Sequence, residues 1–153
     1  MKSKIVLSAA CFLACATVGL GQEKRIKRAD LPPAVEKTVA AESAGATIKG
    51  FSVEKEKGET FYEAEMIVNG HSKDVLIDAS GTVVEVEEEI PMDKLPAAVR
   101  AGLEAKAGKG EIRKVESLTK KGKLVAYEAK VLTNGKQAEV QVGPDGKALD
   151  HEE

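Results

Sequence analysis

Tryptophan is absent from this 153-residue chain, and aromatic residues are few: Phe12, Phe51, Phe61, Tyr62 and Tyr127. A domain built this way has a thin core assembled from valine, leucine, isoleucine and alanine, and a unit of about 60 residues would be marginal alone. Cysteine occurs only at Cys11 and Cys15, inside the first apolar stretch. Once that stretch is removed no thiol remains, which excludes a disulfide framework and cysteine nucleophile chemistry. The two histidines, His71 and His151, lie far apart and form no ligand or base cluster. No Gly-x-Ser-x-Gly elbow and no Gly-rich phosphate loop is present, and Gly108-Lys109-Gly110 reads as the end of a helix. Basic residues do not gather into a stripe with interleaved aromatics, so nucleic acid is a poor partner. These absences point away from an enzyme and predict no cofactor.

The N-terminus carries Lys2 and Lys4, then an apolar run from Ile5 to Val18 and small residues to Gly21. This layout predicts a signal peptide over residues 1–21 and a periplasmic or secreted mature chain, with no transmembrane span remaining. Phe12-Leu13-Ala14-Cys15 also loosely matches a lipoprotein box, which keeps open a lipid anchor at Cys15. A basic leader, 22–29, follows and is expected to be flexible.

The mature chain repeats itself. Leu31-Pro32-Pro33-Ala34-Val35 returns as Leu95-Pro96-Ala97-Ala98-Val99, Tyr62-Glu63-Ala64 as Tyr127-Glu128-Ala129, Asn69-Gly70 as Asn134-Gly135, and Ser80-Gly81 as Asp145-Gly146. We therefore expect a first unit at 30–89, a linker at 90–93 and a second unit at 94–153. The copies differ in charge. Residues 30–90 hold 14 acidic and 5 basic side chains, whereas residues 91–153 hold 10 and 12. The units can attract each other or bind different surfaces.

Asp30 is a candidate helix cap, and Leu31, Val35 and Val39 fall four residues apart on one helical stripe ending near Gly45; Leu95, Val99 and Leu103 repeat it. Gly102 weakens the second helix by up to about 1 kcal/mol relative to alanine. Strand signals follow: Thr47 to Glu54, then Thr60 to Val68, where Tyr62, Ala64, Met66 and Val68 share one face and Glu63 and Glu65 the other. Asn69-Gly70 marks a tight hairpin. Val75 and Ile77 face inward on the next strand and Val84 on the fourth. The second unit predicts Ile112 to Leu118, then Tyr127, Ala129 and Val131 inward with Glu128 and Lys130 outward. Val140 and Val142 follow, then a last strand through Leu149. The expected fold class is α+β: a tandem repeat of one helix plus a four-stranded antiparallel meander. The short linker leaves two arrangements open, one continuous eight-stranded sheet or two sheets packed at an angle.

Leu-Pro-x-Ala-Val at the helix start, a glycine ahead of Tyr-Glu-Ala, then Asn-Gly, then Val-x-Ile or Val-x-Val before a glycine turn, resembles the PepSY-like family, also described as β-lactamase-inhibitor-like. The resemblance implies an extracytoplasmic bacterial protein and non-catalytic binding, as in proteinaceous β-lactamase inhibitors or the PepSY segments of protease propeptides. It carries over no functional residue, because the shared motif is structural.

Candidate partner-binding residues are the outward side chains Phe61, Glu63, Glu65, Glu128 and Lys130, facing a protein or peptide whose identity the sequence does not give. Too few aromatics face outward for a tight inhibitor. Glu63 and Glu65 are expected on an open face with no pocket to shift a pKa. Glu85, Glu87 and Glu89 would share a strand face and are weak candidates for a calcium ion, against the reading that they guard a sheet edge. A cation-binding protein and a structural envelope protein with weak self-association are the alternatives to the binding module.

Overall fold

The computed structural model describes residues 23–151 and 153. The expected signal segment, including Cys15, lies outside the described residues. Strands β1 (Lys24–Ile26), β2 (Thr47–Glu56), β3 (Glu59–Val68), β4 (His71–Asp78), β5 (Val83–Glu89), β6 (Glu111–Lys120), β7 (Lys123–Thr133) and β8 (Lys136–Val142) form one eight-stranded sheet in chain order. Every neighbouring pair is antiparallel. Helices α1 (Pro33–Glu42) and α2 (Ala97–Ala107) precede β2 and β6. The continuous arrangement is the one adopted: β5 pairs with β6 from Glu85↔Lys120 to Glu89↔Glu116.

Four hairpin turns place a non-glycine residue and then glycine at positive φ: Lys57-Gly58, Asn69-Gly70, Lys121-Gly122 and Asn134-Gly135. That is the conformation a two-residue turn needs to follow the twist of its strands. The Asn-Gly pairs announce it. The Lys-Gly pairs do not, because lysine has no side-chain preference for this region.

Alternation then sorts the side chains. Phe51, Ala64, Met66, Val75 and Ile77 pack with Leu31, Val35 and Val39 in one core. Val115, Tyr127, Ala129, Val131 and Val142 pack with Leu95, Val99 and Leu103 in another. Both helices therefore cover the same face. The turn before β5 lies against α1, where a Cβ on Gly81 would stand 2.6 Å from the Ala34 carbonyl oxygen. In the second half the turn at Gly146 meets the Ala98 carbonyl in the same way, and its own carbonyl sits where a Cβ on Gly102 would be. Gly102 thus serves packing, offsetting its low helix propensity.

Five expectations change. Asp30 does not cap α1: the helix follows Pro32, and the Asp30 carboxylate accepts the Lys27 N–H at 3.0 Å in a short 3-10 turn. Helix α1 stops at Glu42, short of Gly45. Lys24–Ile26, in the segment expected to be a flexible leader, pairs with Val53 to Phe51 as the edge strand. No strand runs through Leu149 among the described residues, so three strands rather than four follow α2, and β1 brings the total to eight. Val84 also differs. A register shift opposite Leu76/Ile77 makes Val83 and Val86 the residues that pack on the core.

Candidate functional site

Among the described residues the other side of the sheet carries no helix, and the register lays its side chains out in cross-strand rows. One row runs Ser52, Glu63, Leu76, Glu85, Lys120 over β2 to β6. The next runs Glu65, Asp74, Glu87, Leu118, Ala126 over β3 to β7. A third runs Glu89, Glu116, Glu128, Gln141 over β5 to β8. Two of these rows put three carboxylates side by side, although like charges directly opposite destabilise a sheet.

This face is less open than alternation suggests. Ser52, Glu116 and Gln141 are only 1%, 2% and 3% exposed. The Ser52 hydroxyl donates to Glu63 at 3.0 Å, and the Gln141 amide donates to Glu128 at 2.8 Å. Glu153 crosses this end of the face: its backbone N–H donates to the Gln141 side-chain oxygen at 2.8 Å. Buried Glu116 is held by two ammonium groups, Lys114 Nζ at 2.6 Å and Lys130 Nζ at 3.2 Å. Arg25 reaches Glu65 at 2.6 Å from β1 by passing over Gly50, whose missing side chain leaves room for the guanidinium. Lys120 stands 3.8 Å from Glu85.

Several carboxylates on the face, Glu54 and Glu128 at its two sides and Glu63, Asp74 and Glu87 nearer its middle, have no such cation among the described residues. Among the described residues, no lysine or arginine nitrogen lies within 4.0 Å of Glu63, Asp74 or Glu87. Desolvation, reinforced by neighbouring carboxylates, raises Glu63 to about 7, Asp74 to about 6 and Glu87 to about 8. Glu85, which hydrogen-bonds Glu87, is also raised by burial. The expectation that Glu63 sits on a face unable to shift a pKa is therefore wrong: burial among other side chains suffices. Burial likewise raises Glu128, whereas the Ser72 N–H, donated at 3.0 Å, lowers Glu89.

All five expected binding residues lie on this face. Phe61, Glu63 and Glu65 are on β3 and Glu128 and Lys130 on β7, four strand spacings or about 19 Å apart. Between them lie Asp74 and Glu116. Glu85, Glu87 and Glu89 do share the face, and Glu85 hydrogen-bonds Glu87, but among the described residues the three do not gather into one ligand set. Glu87 meets Asp74 and Glu116, with one oxygen from each within 4.8 Å of the others, and a second such set is Glu23, Glu63 and Glu65. Two lysines already neutralise Glu116 and an arginine Glu65, so a hard divalent cation would compete with resident positive charge. Neither set is identified as a metal centre. His71 and His151 stay at the surface, beside Glu89 and Glu153 at 3.7 Å.

Glu116 and Lys114 are the residues that sequence reasoning missed. Counted in twos from core residue Ile112 they would point inward, but a register shift between Ile112 and Lys114 turns them outward.

No family model matches the sequence, nor does any curated protein sequence. Solved structures do match in fold. A protein described as periplasmic from Bacteroides eggerthii superposes with a TM-score of 0.64 at 19% identity, over 78% of this chain and 86% of that one. A BLIP-like protein from Bacteroides fragilis gives 0.59 at 21%, over 78% and 83%. The chain has a BLIP-like fold. A DUF2874 family protein from Bacteroides ovatus shares it as well, with a TM-score of 0.62 at 19% identity over 78% and 85%. At these identities the likeness extends to the fold.

Proposed function

We propose that this chain is an extracytoplasmic, non-catalytic binding module that engages a protein or peptide through the helix-free face of its sheet, in an inhibitor-like or peptidase-modulating role of the PepSY-like kind. The observation that carries the reading is the row Glu65, Asp74, Glu87. Three carboxylates directly opposite one another cost stability, and a fold keeps such an arrangement where a surface has work to do. The BLIP-like fold and the periplasmic description of a structural neighbour favour the same reading. So do the sequence features that read as a signal segment at 1–21 and as two units at 30–89 and 94–153.

The test is site-specific photo-crosslinking in the native cell envelope. A photo-reactive residue replacing Phe61 or Leu76, on the helix-free face, should capture a partner; the same residue at Lys37 or Glu104, on the helices, should not. Capture from the helix positions alone, or from none of the four, would defeat the proposal.

A further inference from the structure

The face already shows which chemistry it accepts. Where its carboxylates are neutralised, the counter-group is an amine or a guanidinium from the chain itself: Arg25 on Glu65, Lys114 and Lys130 on Glu116, Lys120 on Glu85. Glu63, Asp74 and Glu87 repeat the same setting on β3, β4 and β5 without such a group. Leu76 lies directly between Glu63 and Glu85 in its row. A leucine flanked by carboxylates suits a long cationic side chain, whose methylene stem packs on apolar surface while its head stays with the charge.

We propose that the occupant of this face is a basic polypeptide segment, which lays lysine or arginine side chains over Leu76 and places their charged groups on Glu63, Asp74 and Glu87. This rests on the sheet-face reading above and names the partner's chemistry. A second copy of this chain is a poor occupant, since two such faces would oppose carboxylate to carboxylate.

Around Glu87 stand Asp74 from β4, Glu85 on its own strand, Glu116 from β6, and Glu128 and Lys130 from β7. Negative charge exceeds positive in this surround, so a docked cation favours ionisation and expels protons that Glu63 and Glu87 hold near neutral pH.

Decalysine and decaglutamate are the probes, titrated calorimetrically into the protein at pH 7 in phosphate and in Tris, at low and at 0.5 M salt. Decalysine should bind at low salt, release protons so that the heat differs between the two buffers, and weaken with salt. The double variant Asp74→Asn with Glu87→Gln should weaken binding roughly tenfold and abolish most of the proton release. Glu36→Gln with Glu104→Gln, an equal charge change on the helices, should leave both unchanged. Equal weakening by the two double variants, or no binding of decalysine, overturns the proposal. If Phe61 crosslinks a partner while decalysine fails to bind, the sheet-face reading stands and the cationic class falls. Decalysine binding with no crosslink from the face gives the reverse.

Discussion

Replacing Glu87 by glutamine should stabilise the protein, and by an amount that depends on pH. Glu87 is raised from 4.5 to about 8 by desolvation and by the charges of Glu116, Glu85, Glu128 and Asp74. Between those values the folded state holds the proton more firmly than the unfolded chain, so stability is fully present below about pH 4.5 and declines as pH rises through 8. Glutamine keeps a hydrogen-bonding group beside Glu85 and never ionises. One unit of pKa corresponds to about 1.4 kcal/mol. Glu85 and Glu87 titrate together, so only part of the rise belongs to Glu87. One to two units gives a gain of roughly 1.4–2.7 kcal/mol for the variant above pH 8 and close to none at pH 4.5. For a domain of this length that is on the order of 5–10 °C in Tm. Thermal melts followed by circular dichroism at pH 4.5, 6, 7 and 8.5 give the comparison directly. A Tm difference that is flat across this range, or a glutamine variant that is less stable at pH 8.5, would refute the account of this face as a store of raised carboxylates.

Other perturbations address the frame around it. Gly146→Ala combines φ of +80° with a clash against the Ala98 carbonyl, and should cost about 2–4 kcal/mol in urea denaturation; a loss below about 1 kcal/mol would mean that the turn does not seat on α2. Lys114→Met removes one of two cations from buried Glu116 and should cost about 1–3 kcal/mol, most of it recovered when Glu116→Gln is added; a double-mutant cycle showing no coupling would contradict the ion contacts.

Much of this architecture was legible in the chain because one physical rule governs it locally. Tyr62-Glu63-Ala64-Glu65-Met66 alternates without interruption, and the inward and outward assignments on β3 and β7 follow from that alone. The rule fails at register shifts. Ile48/Gly50, Leu76/Ile77 and Ile112/Lys114 each change parity, and it is after the last of these that Lys114 and Glu116 become part of the candidate site. A single unpaired residue leaves no mark in hydropathy, so Val84 reads as core and Glu116 does not read as site. Long-range pairing is equally silent. Lys24-Arg25-Ile26 has too few residues for a pattern and becomes a strand only because the β2 edge at Phe51 to Val53 receives it. Asp30 was a sound cap candidate by residue type, but two prolines after it delay the helix to Pro33.

The pairing of β5 with β6 gives the unequal charges of the two halves their consequence. Residues 30–90 are strongly acidic and residues 91–153 slightly basic, and a sheet that stopped between them would leave the acidic strands to repel one another unaided. Joined, they hand cations across the seam: Lys120 of β6 stands by Glu85 of β5, and Lys114 lowers the pKa of Asp74 against the burial that raises it. The transfer is incomplete. Lys114 and Lys130 are committed to Glu116, which is so deeply buried that removing its partners would be costly, and they cannot also close on Asp74 and Glu87. Negative charge is thus left over on β3 to β5, on the face the helices do not cover and next to half-buried Leu76 and Phe61 rather than in bulk solvent. Protons on Glu63 and Glu87 mask part of that surplus near neutral pH, and what is left repels itself until something positive arrives. Binding energy from a basic partner would then include relief of a repulsion built into the fold, which is why glutamine at Glu87 should raise stability and lower affinity in the same molecule.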